Sequence, residues 1–356
     1  MNSPPAPAKA TIREVAAAAG VSLQTVSRVI NDSPNVSARA RLAVEQAVAD
    51  LGYSPSLAAR RMGGSKSFLL LALNDRARTI ETWERREGSD WVDQMLLGGM
   101  LTCAKHGYRM FFELVDTHSD HIDRELNAAL AALRPDGVIL TPPHSDNRTI
   151  VDILAGRNIR CARIGGFDDI GGTIIRMDDR AASAAAVEHL AGLGHLRIGF
   201  IGGSEEYRLS AERRVGFVEA VSRLELDDDA TLRVAGDFGY QSGQAAAVKL
   251  LSLSAPPTAI IASSDQMALA VCAVARERGL TVPGDLSVVG FDDTPIARMS
   301  EPSLTAISQP TAAMTACAAQ LLIAPDPAVD VSKDHAVHII PFALVPRNST
   351  GPAPKR

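Results

Sequence analysis

The residues between Leu23 and Asn31 carry side chains that could read the edges of DNA bases. On a helix, Leu23, Val26 and Ile30 fall at i, i+3 and i+7 and form an apolar stripe, which leaves Gln24, Arg28 and Asn31 on the opposite face. A polar face of this kind suits a DNA major groove. Signs of catalysis are missing: the sequence has no GxxxxGK[ST], HExxH or GxSxG run. Gly165-Gly166 and Gly171-Gly172 are wrongly spaced for a dinucleotide, and GGSKS at 63–67 resembles only the end of a phosphate loop and follows no strand. No enzyme, cofactor or metal is expected.

Two further helices must hold this face in place. Ile12, Val15, Ala16 and Ala19 recur at i, i+3, i+4 and i+7, and Gly20 stops that helix. Ser22 is placed to cap the next one, and Ser37 a third, in which Ala40, Val44, Ala47, Val48 and Leu51 close a core before Gly52. Two short helices around a glycine turn are a helix-turn-helix; an ordinary helical hairpin on a core is the alternative. Next comes PSLAARRM, Pro55 to Met62, with proline at a first helical position and Gly63-Gly64 as a stop. Two turns are marginal in isolation, so the segment reads as a linker that folds when docked.

Charge is distributed to match. The chain of 356 residues carries −5, yet residues 1–67 hold eight basic and four acidic side chains, +4, and the remainder −9. A basic head on an acidic body puts phosphate contact at the head. Cys103, Cys161, Cys272 and Cys317 are scattered, without a CxxC pair, and read as reduced thiols of a cytosolic protein. MNSPPAPAKA lacks the pattern of a signal peptide and reads as a disordered tail; no apolar run approaches the ~18 residues of a membrane span.

From Lys66 onward short buried runs alternate with helical stretches. The strands are expected at 68–73, 109–115, 137–143 and 160–164, then at 197–203, 231–237, 258–264 and 287–293. Two successive open α/β modules make two lobes with a cleft at the strand carboxyl ends. Between the first strand and its helix, NDRARTIETWERREGSDW reads as a solvated charged loop.

TIREVAAAAGVSLQTVSRVIND, SARARLAVEQAVADLGYSPSLAARRM, SVVGFDDTPIARMSEPSLTAISQP and LVPRNSTGP together resemble the lactose/galactose repressor family over roughly residues 10–350. The resemblance implies an all-α helix-turn-helix head and an α/β effector domain of two doubly wound parallel-sheet lobes like those of periplasmic sugar-binding proteins. The expected division is a tail at 1–9, the head at 10–54, a hinge at 55–65 and the body at 66–350. Lobe 1 takes 66–177 and 310–336, lobe 2 takes 178–309 and 337–350, and the chain crosses near Met177-Asp178, near Ile307–Pro310 and within 324–338. No leucine heptads follow Gly351, so no tetramerising coiled coil is expected.

The resemblance also implies roles. Leu23, Gln24 and Arg28 read base edges, glutamine on adenine and arginine on guanine; Leu23 either meets a thymine methyl or packs. Thr11, Ile12, Ser22, Thr25, Ser27, Asn31 and Tyr53 lie at or near the DNA, while Ala59 and Met62 belong to the hinge. Met62 stands where the family has a leucine wedge for the minor groove, or else caps the linker. In the cleft, Arg213 matches an arginine that forks onto effector hydroxyls, Asp292 an aspartate that accepts from neighbouring hydroxyls, and Phe238 an aromatic that stacks on a ring. Ser264 replaces the family asparagine, and Asp265 is then read as a helix N-cap, with a ligand contact as the alternative. Gln309 bonds either ligand or hinge backbone, and Trp91 either stacks on a second sugar ring or packs. Asn74, Asp75, His144 and Asp146 are strand-end candidates.

The implied function is a dimeric regulator, a repressor, that binds a pseudo-palindromic operator and is switched by a sugar or glycoside. Its partners are double-stranded DNA, the effector and a second copy of the chain, with no membrane. A sugar receptor for transport would share the body but not the head.

Overall fold

The computed structural model describes residues 10–30, 33, 35–53, 66–85, 90–117, 119, 121–324 and 336–355. The hinge segment Pro55 to Met62 lies outside them, as do Asn31, Ala59 and Met62. Two compact units form, one from residues 1–68 with 134–136 and the other from the rest.

In the first unit, α1 (Ile12–Ala19) begins at a reciprocal cap in which the Thr11 hydroxyl accepts from the Glu14 N–H and the Glu14 carboxylate accepts from the Thr11 N–H. Gly20 ends it at φ 64°, a left-handed conformation that glycine adopts without a side-chain clash. In α2 (Leu23–Ile30) the Ser22 Oγ accepts from the Thr25 N–H at 3.1 Å, and in α3 (Ala38–Asp50) Ser37 accepts from Ala40. Val15, Ala16, Val26, Val29, Val44 and Ala47 form the core. Two expected core residues differ: Leu23 and Leu51 are 45% and 40% exposed. The seam of α2 runs through Val26, Val29 and Ile30, which rotates Leu23 in the first turn to the outer edge.

The second unit holds two six-stranded sheets. The first is ordered β11-β5-β4-β3-β1-β2, with β1 (Leu69–Asp75), β2 (Arg109–Val115), β3 (Gly137–Leu140), β4 (Arg160–Ile164), β5 (Thr173–Arg176) and β11 (Val337–Ile339), all parallel. The second is ordered β12-β10-β9-β8-β6-β7, with β6 (Ile198–Ile201), β7 (Arg233–Val234), β8 (Ala259–Ala262), β9 (Ser287–Asp292), β10 (Thr305–Ser308) and β12 (Ala343–Val345). Only β12 runs antiparallel to its neighbour. Helices cover both faces, so central strands such as β1 are buried along their whole length and read as unbroken apolar runs. All four cysteines are free.

Among the described residues, three connections join the lobes: from β5 into helix Asp179–Gly192, from β10 into helix Thr311–Ile323, and from β11 to β12. The last corrects an expectation. Residues 337–350, which include the apolar run HIIPFALV, do not all belong to lobe 2, because Val337–Ile339 belongs to the first sheet and only Ala343–Val345 to the second. Pro341 cannot donate a ladder hydrogen bond, and the crossing falls there, after residue 339 and not within 324–338. Helix Thr311–Ile323 packs on lobe 1 so closely that a Cβ at Gly98 would lie 1.9 Å from the Ala312 carbonyl oxygen.

A second correction concerns the charged segment after β1. Residues Arg76–Arg85 form a helix, not a solvated loop. Asp75 at the strand end accepts from the Arg78 N–H at 2.9 Å, Arg76 pairs with Glu125 at 2.8 Å, and Glu81 pairs with Arg85 one turn on. Polar capping and ion pairs hold this helix, so it has no apolar period to detect.

Candidate functional site: a helix face and a cleft between lobes

In the head, Gln24 and Arg28 are exposed on α2, with Leu23 beside them and Ser22 in the preceding turn. Thr25 and Ser27 are half-buried. Ile12 and Tyr53 pack partly against the core, so their side chains serve the head's own packing. Thr11 is exposed, but its hydroxyl and N–H are both engaged with Glu14, which lowers the Glu14 pKa. The exposed Leu23 is free to meet an apolar group such as a thymine methyl.

In the body, one cavity of about 230 Å³ lies between the lobes, below the ~300–1,000 Å³ usual for small-molecule sites. All eight expected effector residues line it: Asn74, Asp75, Trp91, Arg213, Phe238, Ser264, Asp292 and Gln309. His144 and Asp146 do not. The His144 ring is fully buried, and burial lowers its pKa. Asp146 pairs with the buried Arg163 at 2.7 Å and accepts from the Phe167 and Asp168 N–H groups, so it holds a loop.

The floor is built around Arg213, which is only 2% exposed. Its Nε donates to Asp179 at 2.8 Å, its Nη1 donates to the Ser263 carbonyl at 3.0 Å, and its guanidinium lies over the Phe291 ring, 4.1 Å from the centroid. Nη2 makes no hydrogen bond among the described residues. Burial pushes the Asp179 carboxyl up, and Arg213 opposes that shift. Asp292 ends β9 at φ 103°, a strained conformation for an L side chain. Its carboxylate has no hydrogen-bond partner among the described residues, and burial lifts its pKa to about 6 against the pull of Arg213. The floor therefore offers an open donor on Arg213 and an open acceptor on Asp292.

Asp265 differs from its expected role. The cap of helix Asp265–Glu277 is Ser264, whose hydroxyl accepts from the Met267 N–H at 3.1 Å and donates to the Phe238 carbonyl at 2.7 Å. Asp265 sits one residue inside, where one carboxylate oxygen accepts from the Thr294 N–H and hydroxyl at 2.7 and 2.9 Å. Burial and then Asp292 raise its pKa well above the usual range. Asn74 and Asp75 are likewise engaged, Asn74 accepting from Thr141 and Asp75 from Arg78 and Thr117. Asn74, Asp75 and Ser264 shape the wall more than they reach into it, whereas the second carboxylate oxygen of Asp265 is buried without a hydrogen-bond partner among the described residues.

Sequence reasoning missed Arg78, Tyr207, Asp90 and Asp179. Arg78 spans the cleft and donates to the Asp237 carbonyl of lobe 2 at 3.0 Å. Its guanidinium lies 5.2 Å from the ring centroids of both Tyr207 and Phe238, which meet edge to face at 5.7 Å. Burial pushes the Tyr207 hydroxyl up to about 12. Burial and Asp93 raise the Asp90 pKa. The available signal was Asp75 as a helix cap with Glu81 and Arg85 four residues apart, which would have put Arg78 on an ordered helix at the cleft.

Comparisons with known proteins follow the same division. Residues 11–56 match the family described as bacterial regulatory proteins, lacI family, and residues 187–350 match a periplasmic binding protein-like domain. The transcriptional regulator CelR of Thermobifida fusca is 33% identical over 88% of this chain and 91% of its own length. The repressor CytR of Escherichia coli is 30% identical over 85% of each. Among solved structures, a CelR–cellobiose complex aligns with a TM-score of 0.70 and 29% identity over 96% of this chain and 99% of that one. A Lac repressor dimer bound to operator and an anti-inducer aligns with 0.74 and 26% over 97% and 100%. With relatives matched at this identity over nearly their full lengths, the chain belongs to the LacI family of bacterial transcriptional regulators.

Proposed function

We propose that the protein is a homodimeric repressor that reads a pseudo-palindromic operator through α2 and binds a small carbohydrate in the cleft, the carbohydrate altering operator affinity. Gln24 and Arg28 reach base edges, Leu23 an apolar base group, and Thr11, Ser22, Thr25 and Ser27 lie along the backbone of the duplex. The body carries no catalysis, and the protein acts in the cytoplasm. Among the described residues, no helix is long and apolar enough to cross a membrane.

One observation carries the effector reading: Arg213 Nη2 and the Asp292 carboxylate line the cavity with no hydrogen-bond partner among the described residues. A donor and a charged acceptor facing one cavity match adjacent hydroxyls, each of which donates and accepts. Calorimetric titration with neutral mono- and disaccharides tests it. A sugar that binds the protein but not Arg213→Ala or Asp292→Asn supports the reading; a ligand bound equally by all three is not using this pair.

A further inference from the structure

Helix Arg76–Arg85 stands over the cleft, and one of its side chains fills the aromatic corner of the opposite lobe. The Arg78 guanidinium lies 5.2 Å from the centroids of Tyr207 and Phe238 and donates to the Asp237 carbonyl. Arg78 belongs to lobe 1, and the three groups it engages belong to lobe 2. Its own helix is anchored below by Asp75 on the Arg78 N–H and by Arg76 on Glu125 and the Leu114 carbonyl. The guanidinium is planar and weakly hydrated, so it fills an aromatic corner much as the apolar face of a pyranose would.

We propose that Arg78 is the gate and specificity residue of the cleft: its guanidinium bridges the lobes across the Tyr207–Phe238 corner, and an effector enters by displacing it. The sugar reading set out above supplies the ligand class, and the gate refines it. Six carboxylates line the cavity, Asp75, Glu81, Asp90, Asp237, Asp265 and Asp292, against three arginines, one of which is Arg78 itself. Arg213 is partly neutralised by Asp179. Displacing Arg78 takes a cation out of a lining in which acidic side chains outnumber arginines, which favours an uncharged sugar over phosphorylated or acidic ones.

Two measurements separate the gate from the sugar reading. In small-angle scattering of the ligand-free protein, Arg78→Ala and Arg78→Met are expected to increase the radius of gyration, since the lobes lose a bridge, while Arg78→Lys gives an intermediate value. In a titration followed by the fluorescence of Trp83 and Trp91, the only tryptophans and both at the cavity, a neutral disaccharide is expected to bind Arg78→Ala about tenfold tighter than the native protein. Glucose 6-phosphate is expected to show no gain. Scattering indistinguishable between native protein and both neutral variants, or a sugar that binds Arg78→Ala more weakly, overturns the gate. Expansion of the variants with no sugar bound by any form upholds the gate and overturns the carbohydrate reading.

Discussion

At the scale of single residues, the cleft concentrates its cost and its use in Asp292. A half-buried aspartate with a pKa of about 6 binds a proton more readily in the folded chain than in the unfolded one, where the value is near 3.9. Stability from this group is fully present below ~3.9 and is lost as pH rises through 6, so at neutral pH the empty protein carries an unfavourable charge. Asp292→Asn should therefore raise the melting temperature of the ligand-free protein at pH 7.5 and leave it nearly unchanged at pH 4, as thermal unfolding at the two pH values would show. The same carboxylate is the proposed acceptor for the effector, so calorimetric affinity should fall as pH drops from 7 through 6. In the head, the corresponding residues are Gln24 and Arg28. Replacing either with alanine should cost about 1–3 kcal/mol of operator affinity, measured by anisotropy on a selected duplex, and relax selectivity at one base position.

At the scale of elements, two close fits carry most risk of disruption. Gly98→Ala places a methyl against the Ala312 carbonyl, backbone that cannot swing away, so helix Asp90–Lys105 must shift from helix Thr311–Ile323. A loss of about 1–3 kcal/mol is expected in denaturant unfolding. Asp75→Ala removes the cap of helix Arg76–Arg85 at a cost of about 1 kcal/mol, and amide exchange should quicken within that helix while the β1 core stays protected. These elements also show what a sequence reveals. The head was legible because Val15, Ala16, Val26 and Val44 repeat at helical spacing around a glycine turn, and β1 because a doubly covered strand is apolar throughout. Helix Arg76–Arg85 was not, since ion pairs and a cap leave no periodicity. Neither was the split of HIIPFALV, because the choice between two sheets depends on where Pro341 meets the crossing. Arg213, Asp292 and Phe238 were found through family resemblance; Arg78 was hidden with its helix, and the exchange of cap between Ser264 and Asp265 turns on a single residue of register.

At the scale of the molecule, the described crossings tie the lobes together and one of them brings Gln309 to the cleft, so a ligand held by Arg213 and Asp292 in lobe 2 and by Trp91 in lobe 1 would bias their closure. The proposed repressor works only if that bias reaches the operator, as a coupling free energy between two sites. The direct test is operator affinity by fluorescence anisotropy, on a duplex selected by the protein from random sequence, with and without a saturating sugar that calorimetry has shown to occupy the cleft. A change of about 5–150-fold in the native protein, corresponding to ~1–3 kcal/mol, and none in Arg213→Ala, is the predicted result. Equal operator affinity for the empty and the fully occupied protein would contradict the account.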